Sequence, residues 1–203
     1  ACSNSGGFFG AELKNAGWDM IIFEGKSDGP VYLDIDNGDA ELKDASAMWG
    51  KSVWDTEDML REVRGDKYIR CASIGQAGEN GVLYAGIIND KDRAAGRSGV
   101  GAVMGVKNLK AIAVRGTQGV QVEDPKAFMK AVGSANQILA DNAVTGEGLP
   151  TFGTQVLMNV INETGALPTR NATEVQFEGA NDISAEAMAE PRESDGKANL
   201  ISN

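Results

Sequence analysis

Arg93 and Arg97 stand among small residues in the stretch NDKDRAAGRSGVGAVMGVKNLKAIAVRG, residues 89–116. A guanidinium is a permanently charged planar fork suited to phosphate oxygens. Glycines at Gly96, Gly99, Gly101 and Gly105 let a ligand or a second backbone come close. The pattern suits a loop that holds an anion. Tight packing of a helix on a strand accounts equally for Gly101 and Gly105, with the arginines then paired to Asp90 or Asp92 at the surface. Residue types alone do not separate these two readings. A dinucleotide-binding fingerprint fits less well, because Gly99, Gly101 and Gly105 are spaced one residue too widely and NLKAIAV starts a strand where that fold continues a long helix.

Other chemistry is excluded by what the chain lacks. It contains no histidine, which removes the commonest general base and transition-metal ligand. Cys2 and Cys71 are its two cysteines, too few for a disulfide framework or for a zinc or iron–sulfur site within this chain. Cys71, in KYIRCASIG, reads as a buried strand thiol. Any redox chemistry must therefore come from a cofactor. A balance of 29 acidic to 19 basic residues, net −10, disfavours nucleic acid and anionic membrane surfaces as partners. No apolar run approaches the roughly 20 residues needed to span a bilayer, so a soluble, cytoplasmic protein is expected. The sequence opens on Ala1 without Met, inside an apparent motif, and reads as a fragment.

The elements that must position Arg93 and its neighbours follow from periodicity. WDMIIFEG (18–25) and PVYLDI (30–35) have strand character, and Asn37-Gly38 predicts a tight hairpin into AELKD. DTEDMLREVRG predicts a short helix capped by Asp55 or Thr56 and stopped at Gly65. KYIRCASIG and VLYAGII read as two further strands separated by a turn at QAGENG. Asp124-Pro125 opens a helix whose apolar stripe runs from Phe128 to Leu139, and a second is expected from Gln155 to about Asn162. Trp18, Trp49 and Trp54 read as core or domain-edge residues. The change from strands to helices predicts a boundary near GTQGVQVED, giving domains 1–121 and 122–203.

An internal repeat is also visible. Residues 5–25 and 98–116 share Ser-Gly, then Lys-Asn at the same offset, then a strand pattern ending in Gly, with a two-residue gap. Each unit predicts a Gly-rich loop, a short helix whose first amides face a ligand, and a strand. Two such units suit two similar anions.

SNSGGFFGAELKNAGWDMIIFEGK and NDKDRAAGRSGVGAVMGVKNLKAIAV closely resemble two signatures of the tungsten-containing aldehyde ferredoxin oxidoreductases. The similarity continues through ASIGQAGEN, GLPTFGTQVLMNVINETGALPTRN and SAEAM. The resemblance implies an α+β fold: a strand-rich pterin-base domain with short helices, then the start of an all-helical domain. It implies a tungsten or molybdenum bis-pterin beside a 4Fe-4S cluster, with aldehyde as substrate, ferredoxin as electron acceptor and a homo-oligomer at full length. Carried onto this chain, backbone carbonyls of Asn4 and Ala94 bind a magnesium ion bridging the pterin phosphates, while Gly6, Arg93 and Gly96 lie against the cofactor. The repeat would then mirror the near-symmetry of the two pterins. No catalytic residue is assigned here, and the cluster ligands are expected outside this chain. The tail PRESDGKANLISN departs from the helical, basic run that the resemblance leads one to expect. A rival reading is a non-catalytic anion-binding or assembly module that keeps only the phosphate site.

Overall fold

A computed structural model describes residues 2–196 and 198; the tail positions 197 and 199–203 lie outside them. The chain divides after Gln121 into two compact units. In the first, α1 (Phe9–Asn15) is followed by an extended stretch and then by β1 (Val31–Asp36), which turns through Asn37 and Gly38 into antiparallel β2 (Asp39–Asp44). Asn37 has φ 53°, a conformation that asparagine tolerates better than most residues. α2 (Val53–Arg64) begins before the expected Asp55 or Thr56. Ser52 is its cap, accepting from Asp55 N–H at 3.1 Å, and Gly65 in the left-handed conformation ends it. Thr56 is instead inside the helix, its hydroxyl donating to the Ser52 carbonyl at 2.7 Å.

β3 (Arg70–Ser73) leads into α3 (Gln76–Glu79), a short helix where a turn was expected. The VLYAGII strand shortens to β4 (Ile87–Asn89), with Leu83 and Tyr84 left 87% and 83% exposed before it. β5 (Arg93–Ala95), α4 (Val100–Val106) and β6 (Leu109–Arg115) complete the unit. The sheet runs β2-β1-β6-β3-β4-β5, with β1 and β6 parallel and every other neighbour antiparallel.

The sheet is covered on both faces, which explains why Tyr32, Leu33, Asp34 and Ile35 are all buried. Tyr32, Cys71, Ala111 and Ala113 pack with Leu60 of α2 and Ile69. Leu33, Ile35 and Val114 pack with Ala16, Leu13 of α1, and Trp18, Ile21 and Phe23. Those last three residues correct one expectation: residues 18–25 form no strand. Both long edges of β1 are already occupied by β2 and β6, so this apolar run lies against the face of the sheet, with Asp19, Met20 and Ile22 turned outward. The repeat is therefore incomplete in space. α1 and α4 both follow glycine-rich loops, but only α4 is followed by a strand.

In the second unit Asp124 caps α5 (Pro125–Asp141), accepting from Ala127 N–H at 2.9 Å. A π-turn (Ala143–Gly148), α6 (Leu149–Phe152), a 3₁₀ turn (Gly153–Leu157) and α7 (Met158–Glu163) follow. The single helix expected from Gln155 is thus divided between the 3₁₀ turn and α7. A further 3₁₀ turn (Asn181–Ile183) and α8 (Ala185–Ala189) end the described helices. The fold is α+β, a mixed sheet with short helices followed by a helical region. Among the described residues no helix is long and apolar enough to cross a membrane.

Candidate functional site: two adjoining loops at a sheet edge

The site is built on the β4–β5 turn. Asp90 and Lys91 both have positive φ, 49° and 61°, which a non-glycine residue adopts only when its surroundings hold it there. Asp90 N–H donates to Cys71 O at 3.4 Å and Asp92 N–H to Asp90 O at 2.7 Å. The buried carboxylate of Glu57, on α2, accepts from Lys91 N–H at 3.1 Å. Burial pushes the Glu57 carboxyl above the usual range, against the pull of Arg61 and of that N–H. Lys91 Nζ pairs with Asp58 at 2.5 Å.

Residues 2–8 lie along this hairpin. Ser98 Oγ–H donates to Cys2 O at 2.9 Å and Arg97 N–H to Ser3 Oγ at 3.1 Å. On the far side of Asn4, Ser5 Oγ–H donates to Asn89 Oδ1 at 2.5 Å, and Asn89 Nδ2–H donates to Gly6 O at 2.9 Å. Phe8 N–H donates to Asp90 Oδ2 at 2.5 Å. Asn4 is bracketed by contacts on either side, and so are residues 93–96. The structure thus brings together the two loops carrying Asn4, Gly6, Arg93, Ala94 and Gly96, and all five residues are exposed. β5 is the edge strand, where alternate peptide groups face away from the sheet.

The glycines divide into two kinds. A Cβ on Gly99, Gly101 or Gly105 would stand 2.1, 2.3 and 1.9 Å from the carbonyl oxygens of Leu83, Gly86 and Gly78. Those three let α4 pack on the backbone of residues 78–86, as the packing reading holds. A Cβ on Gly6 would meet nothing within 4 Å, and one on Gly96 only the Ala94 methyl at 3.9 Å. These two border open space.

The arginines behave differently from that reading. Asp90 is engaged by Phe8 N–H and by Arg70 at 3.5 Å. Among the described residues Arg93 and Arg97 make no ion pair. The Asn4 carbonyl accepts no hydrogen bond there either. Two unpaired guanidinium groups, an uncommitted carbonyl and two open glycines suit a multiply charged anion with an oxygen-seeking cation. The helix starts contribute less than the repeat implied. Phe8 N–H is taken by Asp90, and Gly101 N–H donates to Ala85 O at 2.9 Å.

Sequence reasoning missed Asn89, Asp90 and Gly7. Asn-Asp directly after a strand was the available signal, since both residues favour turns. Glu57 offered none, because its partner lies 34 residues away.

Comparison with known proteins matches the model of the aldehyde ferredoxin oxidoreductase N-terminal domain over residues 1–116, and that of the family's domains 2 and 3 over residues 130–198. The tungsten-containing aldehyde ferredoxin oxidoreductase of Pyrococcus horikoshii is 55% identical over 189 residues, covering 93% of this chain and 31% of the relative. That of Pyrococcus furiosus is 51% identical over 187 residues, again covering 31% of the relative. The WOR-like subunit of aliphatic sulfonate oxidoreductase, also from Pyrococcus furiosus, is 41% identical over 120 residues. Among solved structures, the active-site complex BamBC of benzoyl coenzyme A reductase with 1,5-dienoyl-CoA superposes with TM-score 0.71 at 33% identity, covering 92% of this chain and 30% of that one. The chain spans about a third of the length of the aldehyde ferredoxin oxidoreductases it matches. The chain belongs to the aldehyde ferredoxin oxidoreductase family, and residues 1–116 correspond to its N-terminal domain.

Proposed function

We propose that this chain is the cofactor-phosphate platform of an oxidoreductase that converts aldehydes to carboxylic acids, its cofactor a tungsten or molybdenum bis-pterin. The observation that supports this reading most directly is the unpaired state of Arg93 beside the open Gly6 and Gly96 in two adjoining loops. When bound, the metal–pterin group would supply the two-electron oxidation of an aldehyde with water. The chain's own part is to bind and orient. Arg93 presents its fork to phosphate oxygens, Gly6 and Gly96 leave room for the cofactor, and the carbonyls of Asn4 and Ala94 offer hard oxygen ligands to a bridging magnesium.

Electrons would leave through a 4Fe-4S cluster to ferredoxin. With two cysteines in the chain, one of them the buried Cys71, the cluster thiolates must come from other residues. The boundary after residue 121, the cytoplasmic location and the homo-oligomer at full length belong to the same proposal. Elemental analysis of the full-length protein purified without oxygen tests it: tungsten or molybdenum, iron and magnesium are expected together. A folded full-length protein free of tungsten and molybdenum when grown with both metals overturns it.

A further inference from the structure

Beneath the exposed loops lies a layer of side chains that hold the loops and are themselves turned from solvent. Asn89 is 4% exposed and uses both ends of its amide across the chain, accepting from Ser5 and donating to Gly6 O. Only a side chain with a donor and an acceptor side by side can do this. Asp90 follows it, with its side chain 10% exposed. Its Oδ2 accepts from Phe8 N–H, while Oδ1 faces the Arg70 guanidinium at 3.5 Å without a hydrogen bond. Arg70 also lies over the Phe8 ring, 4.7 Å from its centroid. Gly7 makes this approach possible. Its φ is +90°, and a Cβ there would stand 2.5 Å from Asp90 Oδ2, 2.7 Å from Asn89 Nδ2 and 2.9 Å from Arg93 Cγ.

We infer that Asn89 and Asp90, with Gly7 opposite them, are positioning residues: a buried clamp that sets the separation of the Asn4–Gly6 loop from the Arg93–Gly96 loop. The inference rests on the cofactor-platform reading given above. Asn89 pairs directly with Arg93 in the β4–β5 register, so the residue that grips one loop is also the ladder partner of the residue that heads the other. The buried Glu57 carboxylate fixes the turn from below through Lys91 N–H. A shift of Asn89 therefore moves both loops relative to each other, and two ligand sets that must engage one bound group lose their common geometry.

The test uses the full-length protein and three variants. Asn89→Asp is nearly isosteric but loses the donor to Gly6 O. Ser5→Ala removes one exposed hydroxyl and leaves folding intact. Asp90→Asn keeps a carbonyl oxygen for Phe8 N–H but gives up the charge that faces Arg70, and is the milder test of the second clamp residue. Magnesium and tungsten per chain are measured alongside hydrogen exchange at Phe8 and through α1, and the melting temperature. Asn89→Asp should accelerate exchange over residues 3–15 by roughly tenfold, Ser5→Ala by a few-fold, each in line with one lost hydrogen bond. Metal content should fall in the same order, with exchange in β1 and β6 unchanged, and Asp90→Asn should speed exchange at Phe8 by a few-fold. Wild-type exchange over residues 3–15 in both Asn89→Asp and Ser5→Ala overturns the clamp, as does metal loss without faster exchange there. A parent protein that carries no tungsten, molybdenum or magnesium overturns the cofactor-platform reading instead, and the exchange comparison then still decides whether the clamp exists.

Discussion

Among the described residues Arg93 has no carboxylate partner, and substitution distinguishes a solvated arginine from one that grips an anion. Arg93→Lys keeps the charge and loses the fork. If the fork holds phosphate, a charged hydrogen bond worth roughly 1.5–3 kcal/mol is at stake, and tungsten per chain in the full-length variant should fall about tenfold or more. Full occupancy in both Arg93→Lys and Arg93→Ala defeats that role. At Cys71 burial pushes the thiol up to about 12, so an alkylating reagent at mildly alkaline pH should label Cys2, which is exposed, and leave Cys71 untouched until the protein unfolds. Native-state labelling of Cys71 would show that β3 opens locally. Asp66 shows a shift in the other direction. It accepts from Tyr68 N–H at 2.8 Å and from Arg115 Nε–H at 2.9 Å, and these bonds hold its carboxyl below the usual value. A depressed folded pKa contributes stability above the unfolded carboxylate range, near pH 3.9, and that contribution is lost as pH falls below it. Asp66→Asn should thus lower the melting temperature at pH 7 by an amount equivalent to under about 1 kcal/mol, given its partial exposure. The difference from the parent should close toward pH 3.

At the scale of elements, β6 is tied to α3 by a buried ion pair. Lys110 Nζ donates to Lys51 O at 2.9 Å and Ile74 O at 2.7 Å, and meets Glu79 Oε1 at 2.5 Å, with both side chains buried. Glu79 Oε2 in turn accepts from Gly50 N–H at 2.9 Å. Lys110→Met strands the Glu79 charge in the interior and should cost about 3–5 kcal/mol in denaturant unfolding, whereas adding Glu79→Gln should restore part of that loss. A Lys110→Met protein as stable as its parent would show that water reaches the pair. Elements whose cues are local were legible in the sequence. The β1–β2 hairpin announced itself by alternation and Asn-Gly, and α5 by Asp-Pro. Elements decided by distant partners were not. Residues 18–25 have strand composition, yet the sheet offers them a face and no edge. β5 is three residues long and exists because β4 lies beside it. At the site, composition pointed to the arginines, and the family resemblance to Asn4, Gly6, Ala94 and Gly96. What separates Gly96 from Gly99, Gly101 and Gly105 is the backbone of residues 78–86, whose proximity no local pattern records. The carboxylate that supports the turn was invisible for the same reason.

At the scale of the molecule, the first unit leaves Leu83, Tyr84, Ile22, Met20, Val106 and Phe8 more than half exposed. Leu83 and Val106 line one hollow together with Val103, an apolar patch of the kind that another surface normally covers. The 203-residue chain produced alone should bind a hydrophobic dye and reduce no viologen with aldehyde, since it holds no histidine and no set of cluster thiolates. Viologen reduction by this chain would place the chemistry within it. The joining of residues 2–8 to residues 89–98 also has a consequence in time. Its hydrogen bonds connect positions 82 to 96 residues apart, so residues 2–8 leave the ribosome long before their partners. At roughly 5–20 residues per second that interval is about 4–20 s, during which the neighbouring loop does not yet exist. The parallel pair of β1 with β6 imposes a similar wait, because Val31 is matched with Leu109 and the closure of so long a loop must precede any gain from the pairing. The joining of the two loops is therefore a late event in the synthesis of its unit, and under the proposed function a cofactor finds both loops in place only after residue 98 has emerged.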